Sequence, residues 1–209
     1  MKNCKLGVAL VSIGGVLILA GLALVGYNYW ESEHAGAESE AIVEEMLDVL
    51  DSEGLEDVPE PQAMVGGYEC IGLLHMEDAG LYLPILSEWD FPRLRVAPCR
   101  HFGSVEEDNL VVAAHNYRRH FGGLKDMELG SMVTLTEMDG TVNTYALGRL
   151  ETLNPTAVEE VQNSGYPLVL YTCTYGGKSR VVAFFDRVLT EDELPPLEPE
   201  EGMVPALGD

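Results

Sequence analysis

Positive charge is scarce in this sequence. Its 12 Lys and Arg face 35 Asp and Glu, for a formal net charge of −23 over 209 residues. After Lys5 the next Lys or Arg is Arg93. A general nucleic-acid binder needs a basic stripe to neutralise phosphates, so that class is excluded. Paired metal-ligand motifs are missing as well. There is no His-Glu-x-x-His and no Cys-x-x-Cys, which removes the common zinc sites. Gly177-Lys178-Ser179 spells the end of a phosphate-binding loop. Position 172, however, is Thr where the first glycine of that motif would stand, and a β-rich run follows where a helix is required. No internal repeat is present, and no cofactor or metal is implied.

Charge of either sign is absent from Leu6 to Trp30. That run of Val, Leu, Ile, Ala and Gly is long enough to cross a bilayer as a helix. Lys2 and Lys5 precede it, and Tyr27, Tyr29 and Trp30 close it where an aromatic belt belongs. The positive-inside rule puts the N-terminus in the cytoplasm and the remainder outside the cell membrane. The block is long for a cleaved signal peptide and lacks a small-x-small site with a clean mature start. Cys4 lies before the block, which does not suit a lipoprotein signal.

Acids dominate two flanking segments. Glu31 to Glu60 carries no Lys or Arg, and Glu191 to Asp209 is acidic and Pro-rich. Both read as solvated, poorly ordered segments. Within the first, Ile42, Val43, Met46, Leu47, Val49 and Leu50 predict a short amphipathic helix over 41–50, with Gly54 as its stop. Val58 to Gly67 reads as a linker. The organisation predicted is a cytoplasmic N-terminus (1–5), a transmembrane anchor (6–30), an acidic stalk (31–67), a β-rich domain (68–188) and an acidic tail (189–209).

From Tyr68 the pattern turns to short strands: 68–74, 81–86, 94–99, 110–115, 132–137, 141–150, 168–173 and 180–187. Asp139-Gly140 between two β-rich runs is a strong hairpin signal. One helical insert is expected around Phe121, Leu124 and Met127, and another from Asn154-Pro155 to Gly165. Strands at this spacing suggest a mainly β fold, a closed or nearly closed barrel.

Three residues of this domain carry candidate chemistry. Cys173 ends one apolar strand and Arg180 opens the next, so a hairpin brings them together. A guanidinium beside a thiol favours thiolate and can hold an oxyanion. His115 ends the apolar run Leu110-Val-Val-Ala-Ala. An imidazole can deliver a proton to a leaving amine. Taken singly, each is more readily read as a structural residue. Cys70, Cys99 and Cys173 make three cysteines outside the membrane, so at least one is unpaired or pairs between molecules, and Cys70 and Cys99 are the other two thiols. They could bridge or stay as buried thiols. His75 reads as a strand-end or loop residue, while His101 and His120, each beside an arginine, read as surface residues. Glu106, Glu107 and Asp108 read as a solvated loop rather than a calcium site.

Together, in this order and spacing, these pieces resemble the sortase family. Val111-Val-Ala-Ala-His115, Tyr171-Thr172-Cys173 and Arg180-Val-Val carry the resemblance. Leu81-Tyr-Leu-Pro84-Ile85 and Phe121-Gly-Gly-Leu124 with Gly130 extend it over Tyr68 to Arg187. His115-Asn116-Tyr117 and Thr172-Cys173-Thr174-Tyr175 look like class B members. The chain departs from them in the short segment Glu151–Tyr166 and in Ser131, and it lacks the Asp-Pro lid motif of pilin-polymerising members.

The resemblance implies an eight-stranded barrel and a membrane-anchored cysteine transpeptidase. Cys173 would be the nucleophile, His115 the proton donor and Arg180 the oxyanion or backbone ligand, with Thr172 as a further substrate contact. The implied partners are secreted proteins bearing a C-terminal sorting motif, and an amine on a cell-wall peptidoglycan precursor or a protein. Other classes fit parts of the pattern. An L,D-transpeptidase-like enzyme usually has its arginine two residues after the cysteine, where this chain has Tyr175. A Cys/His hydrolase would release acids, and a non-enzymatic surface protein would keep Cys173 protected.

Overall fold

The computed structural model describes residues 2–51 and 61–189. A single helix, α1 (Lys2–Asp51), carries the apolar run without interruption into the acidic segment. Residues 31–40 are rich in Ala and Glu and contain no proline, so nothing there stops the helix. The separate short helix expected over 41–50 is therefore the end of α1, and its expected stop, Gly54, lies outside the described residues. The 50-residue helix spans roughly 75 Å. Its apolar part, counted from Leu10, is long enough to cross a membrane, with mean hydropathy 2.2 and no burial against the rest of the chain.

Among the described residues nine strands follow: β1 (Ala63–Val65), β2 (Tyr68–Met76), β3 (Leu81–Leu86), β4 (Cys99–Phe102), β5 (Leu110–Ala114), β6 (Met132–Glu137), β7 (Val142–Leu153), β8 (Leu168–Cys173) and β9 (Arg180–Arg187). Their order is β1-β2-β3-β4-β5-β8-β9-β7-β6. Pairing of β2 with β6 closes β2 to β9 into an eight-stranded barrel. The strand β1 lies in the segment expected to be linker and extends β2 through Ala63↔Cys70.

The strand expected over 94–99 is instead a helix, α2 (Phe91–Val96). Asp90 caps it, its carboxylate accepting from the Arg93 N–H at 2.7 Å, and Pro92 sits in its first turn. The true strand starts at Cys99. Asn154 caps a turn rather than a helix, accepting from the Thr156 N–H at 3.1 Å, and α3 (Val158–Gln162) begins later. A 3-10 turn covers Phe121–Asp126. The β6–β7 hairpin turns at Gly140, whose φ of 87° suits a residue without a side chain.

Inside the barrel, Leu74, Ile85, Val112, Leu135, Leu170 and Phe185 are buried in one cluster with Phe121 and Leu124 of the 3-10 turn. A second cluster forms outside it, where Ile42, Val43 and Met46 of α1 pack on Val65, Cys70, Leu86 and Val96. The acidic segment thus has a folded half. Its polar face is solvated while Ser32, Ala35, Ser39, Ile42 and Met46 are buried. A third cluster, Val111, Val169, Val182 and Phe184, lies under Leu153, Val161 and Tyr166. The strands β5 and β8 are therefore covered on both faces, which is why they read as continuous apolar runs.

Candidate active site

The topology brings three strand ends together. Strand β5 runs parallel to β8, in register from Leu110↔Leu168 to Ala114↔Thr172. In that register the next pair is His115 and Cys173. Antiparallel β9 starts at the same end, with Arg180 directly opposite Cys173. Side chains directly opposite on neighbouring strands share a face. Cys173, Tyr171 and Val169 thus share the outer face of β8 with Arg180 and Val182 of β9. This face, with Leu153 of β7 directly opposite Arg180, lines a groove together with His101 of β4 and Val161 of α3.

Cys173 is half-buried and unpaired. The loop after it is a tight turn. The Gly177 N–H donates to the Thr174 carbonyl at 2.8 Å, and the Thr174 N–H donates to the Ser179 carbonyl at 2.9 Å. Gly176 and Gly177 both take positive φ, which a side chain would strain. Arg180 donates through Nη1 to the carbonyls of Gly177 and Ser179, both at 3.2 Å. The guanidinium is thereby tied to the loop that follows the cysteine.

Burial pushes the His115 pKa below its ordinary value. The Arg95 charge acts in the same direction, and the Glu31 carboxylate acts against both. The His115 ring meets the Tyr117 ring with centroids 4.8 Å apart. Burial, with the Glu31 carboxylate beside it, pushes the Tyr117 phenol up to about 12.

Thr172 is not placed to touch a substrate. It is 3% exposed, and its hydroxyl donates to the Ala114 carbonyl at 2.8 Å. It serves as a strut between β5 and β8, beside the nucleophile candidate. The expectation of a surface position fails for His120, which is fully buried. Arg119 lies along α1, paired with Glu33 and Glu40, and the next residue turns inward. His120 Nε2 sits 3.1 Å from Ser39 Oγ, and burial pushes its pKa down to about 4. His101 is half-buried, with Nδ1 3.1 Å from the Tyr171 hydroxyl and its ring edge-on to Trp89. His75 lies within β2, stacked on Tyr82 at 4.1 Å.

Cys70 and Cys99 are free, and both are buried in the cluster under α1. Burial pushes both thiols up to about 12, which makes them poor nucleophiles. Asp108 pairs with Arg187 at 2.7 Å. No individual role in the site was read from the sequence for Glu31, Arg95, Tyr117, His101 or Tyr171. Their signal was spatial: each lies on a different element, and only the closed barrel gathers them.

A family model described as Sortase domain matches residues 74–188. Among solved structures, the chain is similar to sortase C1 of Streptococcus agalactiae, with 19% identity over 71% of this chain and 77% of that one, at a TM-score of 0.52. It is also similar to sortase C of Streptococcus pneumoniae, with 20% identity over 77% and 89% of the two chains, at a TM-score of 0.52. A third similar structure is sortase C of Clostridium perfringens with the C-terminal cell wall sorting motif, at 16% identity over 76% and 91%, with a TM-score of 0.52. At these identities the likeness establishes the fold and does not select a class. No curated protein matches the sequence.

Proposed function

The chain belongs to the sortase family, and from that premise we propose that it is a membrane-anchored cysteine transpeptidase acting on secreted proteins. The observation that carries this reading is the meeting of His115, Cys173 and Arg180 at one end of the barrel, beside an outer groove. The reading of the substrate as a C-terminal sorting motif takes support from the Clostridium perfringens structure that holds one.

The chemistry has two halves. The Cys173 thiolate attacks a backbone carbonyl of the motif, forming a C–S bond as the C–N bond breaks. His115, as imidazolium, delivers its proton to the departing amine. An incoming amine then attacks the thioester, its proton returns to His115, and the thiolate leaves. Arg180 stabilises the thiolate and the oxyanion of each tetrahedral intermediate. A guanidinium has five N–H donors, and those on Nη2 and Nε remain for the substrate carbonyl. The acceptor is an amine of the cell wall or of another protein.

Membrane anchoring belongs to the same reading. The apolar half of α1 spans the bilayer, the N-terminus is cytoplasmic and the barrel is extracellular. Trp30 then marks the outer interface. Glu31, the next residue, already acts on His115 and Tyr117. The catalytic end of the barrel therefore faces the membrane surface, where secreted chains emerge.

The test uses the full chain in lipid nanodiscs with a panel of sorting-motif peptides and an excess of small amine. Intact-mass spectrometry is expected to show an acyl adduct on Cys173 and an amide product. Cys173→Ala removes the adduct. His115→Ala keeps the fold and lowers turnover by about 10²–10⁴-fold. An adduct that persists in Cys173→Ala refutes the nucleophile. Acid products alone, with amine present, would make the enzyme a hydrolase.

A further inference from the structure

The loop that carries His115 closes on itself. The Phe121 N–H donates to the His115 carbonyl at 3.2 Å. The N–H groups of His120 and Gly122 both donate to the Tyr117 carbonyl, at 3.0 and 2.9 Å. Gly122 lies so near the carbonyls of Asn116 and Tyr117 that a Cβ there would collide with both. Residues 115–122 therefore move together, and whatever fixes His120 fixes the backbone of the histidine.

The helix α1 holds the far side of this loop. The Arg118 N–H donates to Ser32 Oγ at 3.1 Å, and Arg119 pairs with Glu33 and Glu40. Gly36 packs so closely on the Arg119 side chain that any Cβ there would collide with it. One turn further along, Ser39 is 1% exposed and His120 is fully buried. The Ser39 hydroxyl donates to the Val96 carbonyl of α2 at 2.6 Å, and its oxygen lies 3.1 Å from His120 Nε2. A serine hydroxyl carries one proton. With that proton on Val96, Ser39 accepts from His120, which therefore keeps its own proton on Nε2. Hydrogen bonds at this one oxygen join α1, α2 and the histidine loop.

Two ring contacts lead from there back to the site. The His120 ring tilts against Tyr117 with centroids 5.5 Å apart, and Tyr117 tilts against His115 at 4.8 Å. We propose that Ser39 is a positioning residue for His115: it fixes His120, His120 backs Tyr117, and the Tyr117 ring holds the imidazole, so that the histidine is set only while α1 is docked on the barrel.

Orientation of a catalytic histidine by a further group is a recurring need, because a displaced ring cannot protonate the leaving amine. A misplacement of about 1 Å can cost about 10²-fold in rate. Here the orienting chain of contacts ends on the anchor helix, an assignment that rests on His115 being the proton donor. A barrel cut away from α1 keeps Cys173, His115 and Arg180 but loses Ser39.

The experiment uses the full chain in nanodiscs and the peptide that gives the strongest Cys173 adduct. Ser39→Ala lowers kcat by about tenfold while KM stays within about twofold. Tyr117→Leu, which removes the middle ring, has a similar effect, and Tyr117→Phe, which keeps the ring, recovers most of the rate. This pair carries the test should Ser39→Ala fail to fold. In the double variant Ser39→Ala/Tyr117→Leu the two losses do not multiply, because both break one chain of contacts. Nitrogen-15-labelled histidine reads His120 directly: an Nε2–H signal protected from exchange is present in the wild type and lost in Ser39→Ala. Glu38→Gln, on the solvated face of α1 beside His34, leaves every readout unchanged.

Wild-type kcat in Ser39→Ala or in Tyr117→Leu overturns the proposal, and so do losses that multiply in the double variant. Failure of the underlying reading looks different. His115→Ala would then turn over normally, and Ser39 would have no proton donor to position whatever its own kcat.

Discussion

Replacing Met46 with Ala tests whether the acidic half of α1 belongs to the folded domain. Met46 is 0% exposed and packs with Val65, Cys70, Leu73 and Val96. The substitution removes its γ-carbon, sulfur and methyl. At about 0.8 kcal/mol for each methylene-sized group, the lost transfer energy is roughly 2 kcal/mol. The cavity left beneath the helix adds about 1 kcal/mol. The sum, about 3 kcal/mol, lies within the usual range for a buried Met→Ala change. For a domain of this size it lowers Tm by roughly 6–12 °C. Near-UV circular dichroism of the full chain in detergent micelles reads this transition, whereas the far-UV signal is dominated by the long helix. Leu47→Ala is the comparison, because Leu47 is 47% exposed one position along. Its effect is expected to stay within about 0.5 kcal/mol. Equal small shifts in both variants would refute the docking and return residues 31–51 to a solvated stalk.

The thiols give a second measurement. In a Cys4→Ser background, a methanethiosulfonate reagent at about pH 8 labels Cys173 in the native chain, and labels Cys70 and Cys99 only after denaturation. Native labelling of either buried thiol would contradict their packing under α1. His120 predicts an acid sensitivity. Its pKa is held at about 4 when folded, against an ordinary 6.5 when unfolded. The unfolded chain therefore takes up the proton first, and stability falls as pH drops from about 6.5 to about 4, by at most about 3 kcal/mol. His120→Gln flattens that part of the urea-unfolding profile, and an unchanged slope would count against it. Asp90→Ala removes the cap of α2 and costs about 1 kcal/mol, with faster amide exchange confined to residues 91–96 as its signature.

Where local chemistry decides the structure, the sequence was legible. Strands 81–86, 132–137, 168–173 and 180–187 lie at their expected residues. Each is an apolar or alternating run ended by turn residues. The barrel was legible in the number and spacing of the strands and the meeting of Cys173 and Arg180 in their hairpin, whereas His115 was joined to them only by the family resemblance. Two errors came from reading one signal too strongly. Leu94–Cys99 looked like a strand, but Asp90-Phe91-Pro92 is a helix start, and the cap outweighed the single β-branched residue after it, Val96. Net charge made Glu31–Glu60 look like a solvated tether, although the apolar spacing over 41–50 already predicted an amphipathic helix, and its apolar face does pack on the barrel. The spacing of Ser32, Ala35, Ser39, Ile42 and Met46 held the opposite message. These positions recur every three or four residues, which is one helix face, small where the loop of His115 presses on it and apolar where the barrel does. The influence of the Glu31 charge on His115 and Tyr117 was hidden for the same reason: both lie more than eighty residues away in sequence, and no local pattern points to them.

Thr172 shows how an expected substrate contact can instead be a device for register. Both faces of β5 and β8 are apolar and buried, so alternation of polar and apolar side chains cannot fix how one strand slides along the other. A slip of one residue would still bury Val, Leu and Ala. It would also turn His115 away from the face that carries Cys173. Thr172 is the one buried polar side chain in either strand, and its hydroxyl finds its acceptor at the Ala114 carbonyl. In a slipped register that hydroxyl would face apolar neighbours without a partner, at a cost of about 1–3 kcal/mol. The bond sits one residue before the nucleophile candidate on β8 and one residue before the histidine on β5. A threonine ahead of the cysteine thus has a physical role that needs no substrate: it selects the single strand pairing in which His115 and Cys173 lie side by side.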